Sequence, residues 1–118
     1  MKNEFIVGAL NGAKVELLVD RHIRHNTLLL WAVDVKTGVI MATLTCDFGI
    51  LPDTMIAVNN RFGDCWIEEF LIDAGIIEKK VVLYGMGHED NQFYEIPVHS
   101  LTKEGCELVQ SLVSKTNP

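Results

Sequence analysis

Two histidines stand close together in His22-Ile23-Arg24-His25, and a third lies beside two carboxylates in His88-Glu89-Asp90. Imidazole and carboxylate are sound metal ligands, but a centre needs several groups converging on one point. No spacing brings residues 22–25 and 88–90 together, so these histidines read as exposed loop side chains and no metal or other cofactor is expected. Cys46, Cys65 and Cys106 form no C-x-x-C pair and have no histidine at zinc spacing. An odd, scattered set fits reduced thiols, expected to pack as small buried hydrophobes. Cys65 falls at the predicted first turn of a helix, where the dipole favours thiolate, but Asp64 beside it opposes that shift and no base adjoins it. Gly85-x-Gly87 lacks the third glycine and the following helix of a dinucleotide loop, and reads as a flexible hairpin connection. There is no serine elbow, P-loop or His-Glu-x-x-His pair. These absences point to a non-enzymatic protein.

Charge suggests two contact surfaces. The chain has 10 Lys plus Arg against 16 Asp plus Glu, a net charge of −6. The excess lies in residues 62–107, and Glu68, Glu69 and Asp73 line one side of a predicted helix as a candidate acidic contact face for a basic protein partner. Arg21, Arg24 and Arg61, with Lys14 possible nearby, form the one basic cluster and a candidate anion contact. Nucleic-acid binders usually carry a broader basic face, which disfavours that class.

Hydrophobic periodicity assigns the elements that position these residues. Phe5 to Gly8 is a short strand, followed by an Asn11-Gly12 turn. Val15, Leu17 and Val19 alternate with Lys14, Glu16 and Asp20, a half-buried strand. Thr27 to Val35 is apolar on both faces and pairs with Val39 to Cys46 across a Lys36-Thr37-Gly38 turn; Ile40, Ala42, Leu44 and Cys46 are expected inward. Met55 to Val58 is a brief fifth strand. Asp64 to Ala74 is the clearest helix, with Trp66, Ile67, Phe70, Leu71 and Ala74 as its apolar stripe and Gly75-Ile76 closing it. The stripe is expected on Leu29, Trp31 or Val33. Val81 to Tyr84 and Phe93 to Val98 are two more strands joined by a loop at 85–91, and Pro97 places the second at an edge or strand end. A final helix, from about Lys103 to Ser114, is capped by Thr102.

The expected fold is α+β, a mostly antiparallel sheet of about five to seven strands with one central and one C-terminal helix. With 118 residues, 48% hydrophobic and 22% charged, the chain suits a single globular domain at 1–118. The longest apolar run, Leu28 to Val33, is far too short for a membrane helix, and Met1-Lys2-Asn3-Glu4 does not resemble a signal peptide. A cytoplasmic location follows as an expectation. If both helices cover one sheet face, the other exposes Leu28, Leu30 and Met41, a candidate partner interface that a barrel closure or a homodimer would bury.

Residues 43 to 96 resemble a family of small uncharacterised bacterial proteins, a domain of unknown function often met in phage and conjugative-element genomes. The matching pieces are Thr43-Leu44-Thr45, Leu51-Pro52, Val58-Asn59-Asn60, Ile67-Glu68-Glu69-Phe70-Leu71 to Ala74-Gly75-Ile76-Ile77, and Tyr94-Glu95-Ile96. Where that family usually has Thr-Gly after the helix, this chain has Glu78-Lys79-Lys80. The resemblance implies an accessory protein of a bacterial or mobile-element genome, working through protein–protein contacts. Asn59-Asn60, its most distinctive piece, reads as a strand-to-helix joint. Leu71 to Ile77 followed by Ser100-Leu101-Thr102-Lys103-Glu104-Gly105 is similar to the end of winged-helix repressors of the MarR type. That likeness implies a small-ligand or nucleic-acid binding regulator as the alternative function. The helix in the recognition position carries Glu68, Glu69 and Asp73 and no base, the wrong sign for a phosphate-lined groove.

Overall fold

The computed structural model describes residues 3–60 and 65–116. In chain order these form β1 (Phe5–Val7), a 3-10 turn (Gly8–Leu10), β2 (Ala13–Arg21), β3 (Leu28–Asp34), β4 (Ile40–Thr43), β5 (Met55–Ala57), α1 (Trp66–Asp73), β6 (Ile77–Glu89), β7 (Gln92–Leu101) and α2 (Lys103–Thr116). The fold is α+β. All strand pairs are antiparallel, in one sheet ordered β1-β2-β3-β4 and a second ordered β5-β7-β6. Residues 44–46 join the two sheets. The Leu44 amide donates to the Leu30 carbonyl, the Asn59 amide donates to the Leu44 carbonyl, and Thr45 bridges to Val58.

Short-range chemistry closes each element. Asn11 and Gly12 both have positive φ and turn the chain into β2. Asp34 accepts from the Lys36 and Thr37 amides, which holds its carboxyl below the usual range and sets the turn into β4. Gly75, at φ 75°, ends α1 in a Schellman motif: its amide donates to Ile72 and the Ile76 amide donates to Leu71. Thr102 caps α2 by accepting from the Gly105 amide at 2.9 Å and donates its own hydroxyl proton to the Gly75 carbonyl. Gly105 has no room for a Cβ, which would strike the Ile76 carbonyl. The run Leu101 to Gly105 is thus a docking joint between the two helices' ends.

One core holds both helices against the first sheet. It contains Val15, Leu17 and Val19 from β2, Leu28, Leu30 and Ala32 from β3, Ile67, Phe70 and Leu71 from α1, and Leu108 and Val109 from α2. The α1 stripe therefore meets the Leu28–Leu30–Ala32 face of β3, and the expectation that it packs on Leu29, Trp31 or Val33 is corrected. Leu28 and Leu30 are buried, Leu30 with 0% exposure, so neither belongs to an outward interface. Met41 remains partly exposed. A bulge explains its place: Ala32 pairs with Ala42 and Val33 with Ile40, which leaves Met41 as the extra residue and turns Ile40 outward, against expectation. The outward face of this sheet instead shows Leu18, Leu29, Trp31 and Ile40.

The second sheet also departs from expectation. Residues 85–89 belong to β6, and the connection to β7 is the two-residue turn Asp90-Asn91, with φ of 51° and 62°. Gly85 pairs with Ile96 and lies under the Phe48 ring; Gly87 pairs with Tyr94 and lies under that ring. These glycines make space for aromatic cover over the strand. Pro97 sits in the central strand β7, not at an edge. Its carbonyl accepts from the Val58 amide just past the end of β5, and its missing N–H leaves out the return bond of that last pair.

Candidate functional site

The basic cluster does not assemble as a free cationic patch. Arg21, at the end of β2, makes a bidentate pair with Asp53, at 2.9 and 2.7 Å, and also donates to the Asn26 carbonyl. Hydrogen bonding to Asp53 raises the Arg21 pKa, and the same contact holds the Asp53 carboxyl below its ordinary value. Lys14 pairs with Glu4 at 2.8 Å, at the opposite end of β2. Arg61 lies outside the described residues. Arg24 is exposed and makes no ion pair among them.

The loop after β2 does form a shallow cleft with β3, lined by Arg21, His22, Arg24, Leu29, Trp31 and Asp47. His25 Nδ1 meets Asp47 Oδ1 at 2.7 Å, so the acidic partner comes from residue 47 and not from 88–90. His22 Nε2 lies 3.2 Å from the buried Thr45 hydroxyl, which also accepts from the Leu30 amide. No group of three or more metal-ligating side chains gathers here or elsewhere among the described residues.

Burial pushes the His22 imidazole below its ordinary value of 6.5, with the Asp47 charge pulling more weakly upward. A depressed folded value means that the unfolded chain binds more protons as pH falls through this region. The His22 contribution to stability is therefore present above pH 6.5 and lost as pH falls through the folded value. Urea midpoints across the mildly acidic range should fall more steeply for the unsubstituted protein than for His22→Gln. A constant offset between the two would contradict this assignment.

The acidic face divides into two parts. Glu68 does not point to solvent as a plain wet-face residue: its carboxylate contacts Nε2 of His99, which is 0% exposed on β7. Nδ1 of His99 donates to the Glu78 carbonyl at 2.8 Å. Residues 68, 78 and 99 thereby tie α1, β6 and β7 into one unit. His99 carries no local sequence signal, since its partners lie 31 and 21 residues away.

Glu69 and Asp73 are exposed and make no ion pair among the described residues. They flank a groove between β1 and α1 whose apolar lining includes Phe5, Trp66, Phe70 and Ala74, with Glu4 on the β1 side. The Phe5 and Phe70 rings meet edge-to-face at 5.8 Å, and Trp66 lies 6.4 Å from Phe70. Helical spacing puts Trp66, Glu69, Phe70 and Asp73 on one side of α1, so carboxylates and rings face the same groove. Sequence reading found the carboxylates but not β1 as the opposite wall.

Cys65, at the N-cap of α1, is exposed, which corrects the expectation of a packed thiol there. Burial pushes the Cys46 thiol up to about 11, the unreactive direction. Asn59 donates to the Thr43 carbonyl at 2.9 Å and Asn60 to the Glu95 carbonyl at 3.4 Å, so the Asn pair ties the chain after β5 to its neighbours. No helix among the described residues is long and apolar enough to cross a membrane. No known family, curated protein or solved structure matches the chain.

Proposed function

We propose that this chain is a non-enzymatic accessory protein that holds a protein partner, and that the partner presents a cationic amphipathic segment to the groove between β1 and α1. The observation that carries this reading is the pairing of Glu69 and Asp73, without ion-pair partners among the described residues, with an aromatic floor of Phe5, Trp66 and Phe70. Apolar burial supplies attraction, and the two carboxylates select positive charge and reject negative. Binding of a small anion or nucleic acid at Arg21 and Arg24 has less support, because Asp53 holds Arg21 and Asp47 adjoins the same cleft.

A lysine–leucine amphipathic peptide serves as probe, with a glutamate–leucine peptide and a single-stranded oligonucleotide as controls. Binding is read from Trp66 fluorescence in a Trp31→Phe background. The lysine–leucine peptide should bind, and Glu69→Lys with Asp73→Lys should weaken it roughly tenfold or more. Equal binding by that double variant, or preferential binding of the oligonucleotide lost in Arg24→Glu, would sink the proposal.

A further inference from the structure

Among the described residues, strand β6 is the long open edge of this fold. It runs for 13 residues and ends the order β5-β7-β6, whereas the edge strand β1 has three. Natural edges are usually short or covered, because unpaired amides and carbonyls recruit another strand. Tyr84 and Met86 share one face of β6, opposite Pro97 and Glu95, and are 60% and 62% exposed; register shifts interrupt the alternation between Ile77 and Leu83. On β7, Phe93 shares that face opposite His88, and its ring stacks on the imidazole at 4.7 Å. On the opposite face Phe48 and Tyr94 cover Gly85 and Gly87 beside the small core of Ala57, Ile96 and Val98, while Leu83 is 43% exposed.

The charges along this edge are self-complementary. Its first end carries Lys79 and Lys80 beside Glu78, its apolar middle runs from Val81 to Met86, and its far end passes through His88 into Glu89 and Asp90. Parallel pairing of two such strands would set lysine beside lysine. Antiparallel pairing sets the basic end of each beside the acidic end of the other.

We propose that β6 pairs antiparallel with β6 of a second copy of this chain, about a two-fold axis near Tyr84 and Gly85, to make one sheet running through both protomers. A two-fold perpendicular to the sheet keeps the side chains of each strand on their own face. An axis there brings the two Tyr84 side chains together and lays the first end of each β6 beside the far end of the other. The symmetry closes the edge, so assembly stops at two copies.

The experiment is a charge swap read by light scattering at tens of micromolar. The unsubstituted chain should be a dimer that dissociates as salt rises. Lys79→Glu with Lys80→Glu makes both ends acidic; Glu89→Lys with Asp90→Lys makes both ends basic. Each double variant alone should weaken the dimer roughly tenfold or more, since every substitution occurs twice across the axis. An equimolar mixture of the two variants should restore a dimer containing one of each. Circular dichroism confirms that both variants are folded, and their recovery on mixing is a second check independent of that spectrum. A monomeric unsubstituted chain, in which the lysines simply guard the edge, overturns the proposal. So does a dimer indifferent to both reversals, or a mixture that stays monomeric.

Discussion

Leu30→Glu should abolish folding, while Leu29→Glu, one residue away, should leave a folded protein. Leu30 is fully buried at the centre of β3, paired with Val19 and within the cluster that receives Leu71 and Val109. A carboxylate there has no cationic partner and loses its hydration, at a cost on the order of 5 kcal/mol or more. That is comparable with the whole stability of a small domain, about 5–15 kcal/mol. Leu29 lies on the opposite face, paired with Asp20 and half-buried, where a carboxylate keeps water and the loss should be about 1–2 kcal/mol. Circular dichroism with urea titration separates the two. A cooperative, native-like transition in Leu30→Glu would show that the faces of β3 are assigned the wrong way round.

The second large effect is expected at His99. His99→Leu keeps the side-chain volume but strips the Glu68 carboxylate and the Glu78 carbonyl of their donor. Glu68 is partly hydrated, at 22% side-chain exposure, which tempers the penalty for leaving it unpaired. The loss should be about 2–4 kcal/mol. Glu68→Gln keeps an acceptor and a similar shape, and should cost less, about 1–2 kcal/mol. Glu68→Leu combined with His99→Leu should recover much of the single-variant loss, because replacing both members of a buried polar pair removes the orphaned group. Strict additivity of the two leucine substitutions in urea denaturation would show that the pair does not couple α1 to β7.

Much of the architecture was legible because it rests on local chemistry. Alternation along Val15, Leu17 and Val19 named the buried face of β2 outright, since polar residues occupied the other. The α1 stripe, the Gly75 stop with Ile76 folding back, the Thr102 cap and the turn before Gly38 all depend on residues within one turn of each other. Their backbone geometry is set by side chains already adjacent in the chain. The exposed carboxylates Glu69 and Asp73 could be found in the same way, from helical spacing alone.

Tertiary structure decided what two apolar faces, or two distant polar groups, do with each other. In β3 both Leu28-Leu30-Ala32 and Leu29-Trp31-Val33 are hydrophobic, so period-two patterning cannot choose between them; the helices cover the first set. The bulge at Met41 then changes which β4 side chains point inward. Residues 85–91 looked like a loop because glycine lowers strand propensity, yet these glycines lie in β6 beneath Phe48 and Tyr94, contacts that exist only once the strands pair. Arg21 finds Asp53 across 32 residues and His99 finds Glu68 across 31. A charge in a sequence states only that it needs a partner or water. Which of the two it receives depends on packing between elements far apart in the chain, and that packing tied Glu68 to the buried His99 and left Glu69 facing the groove.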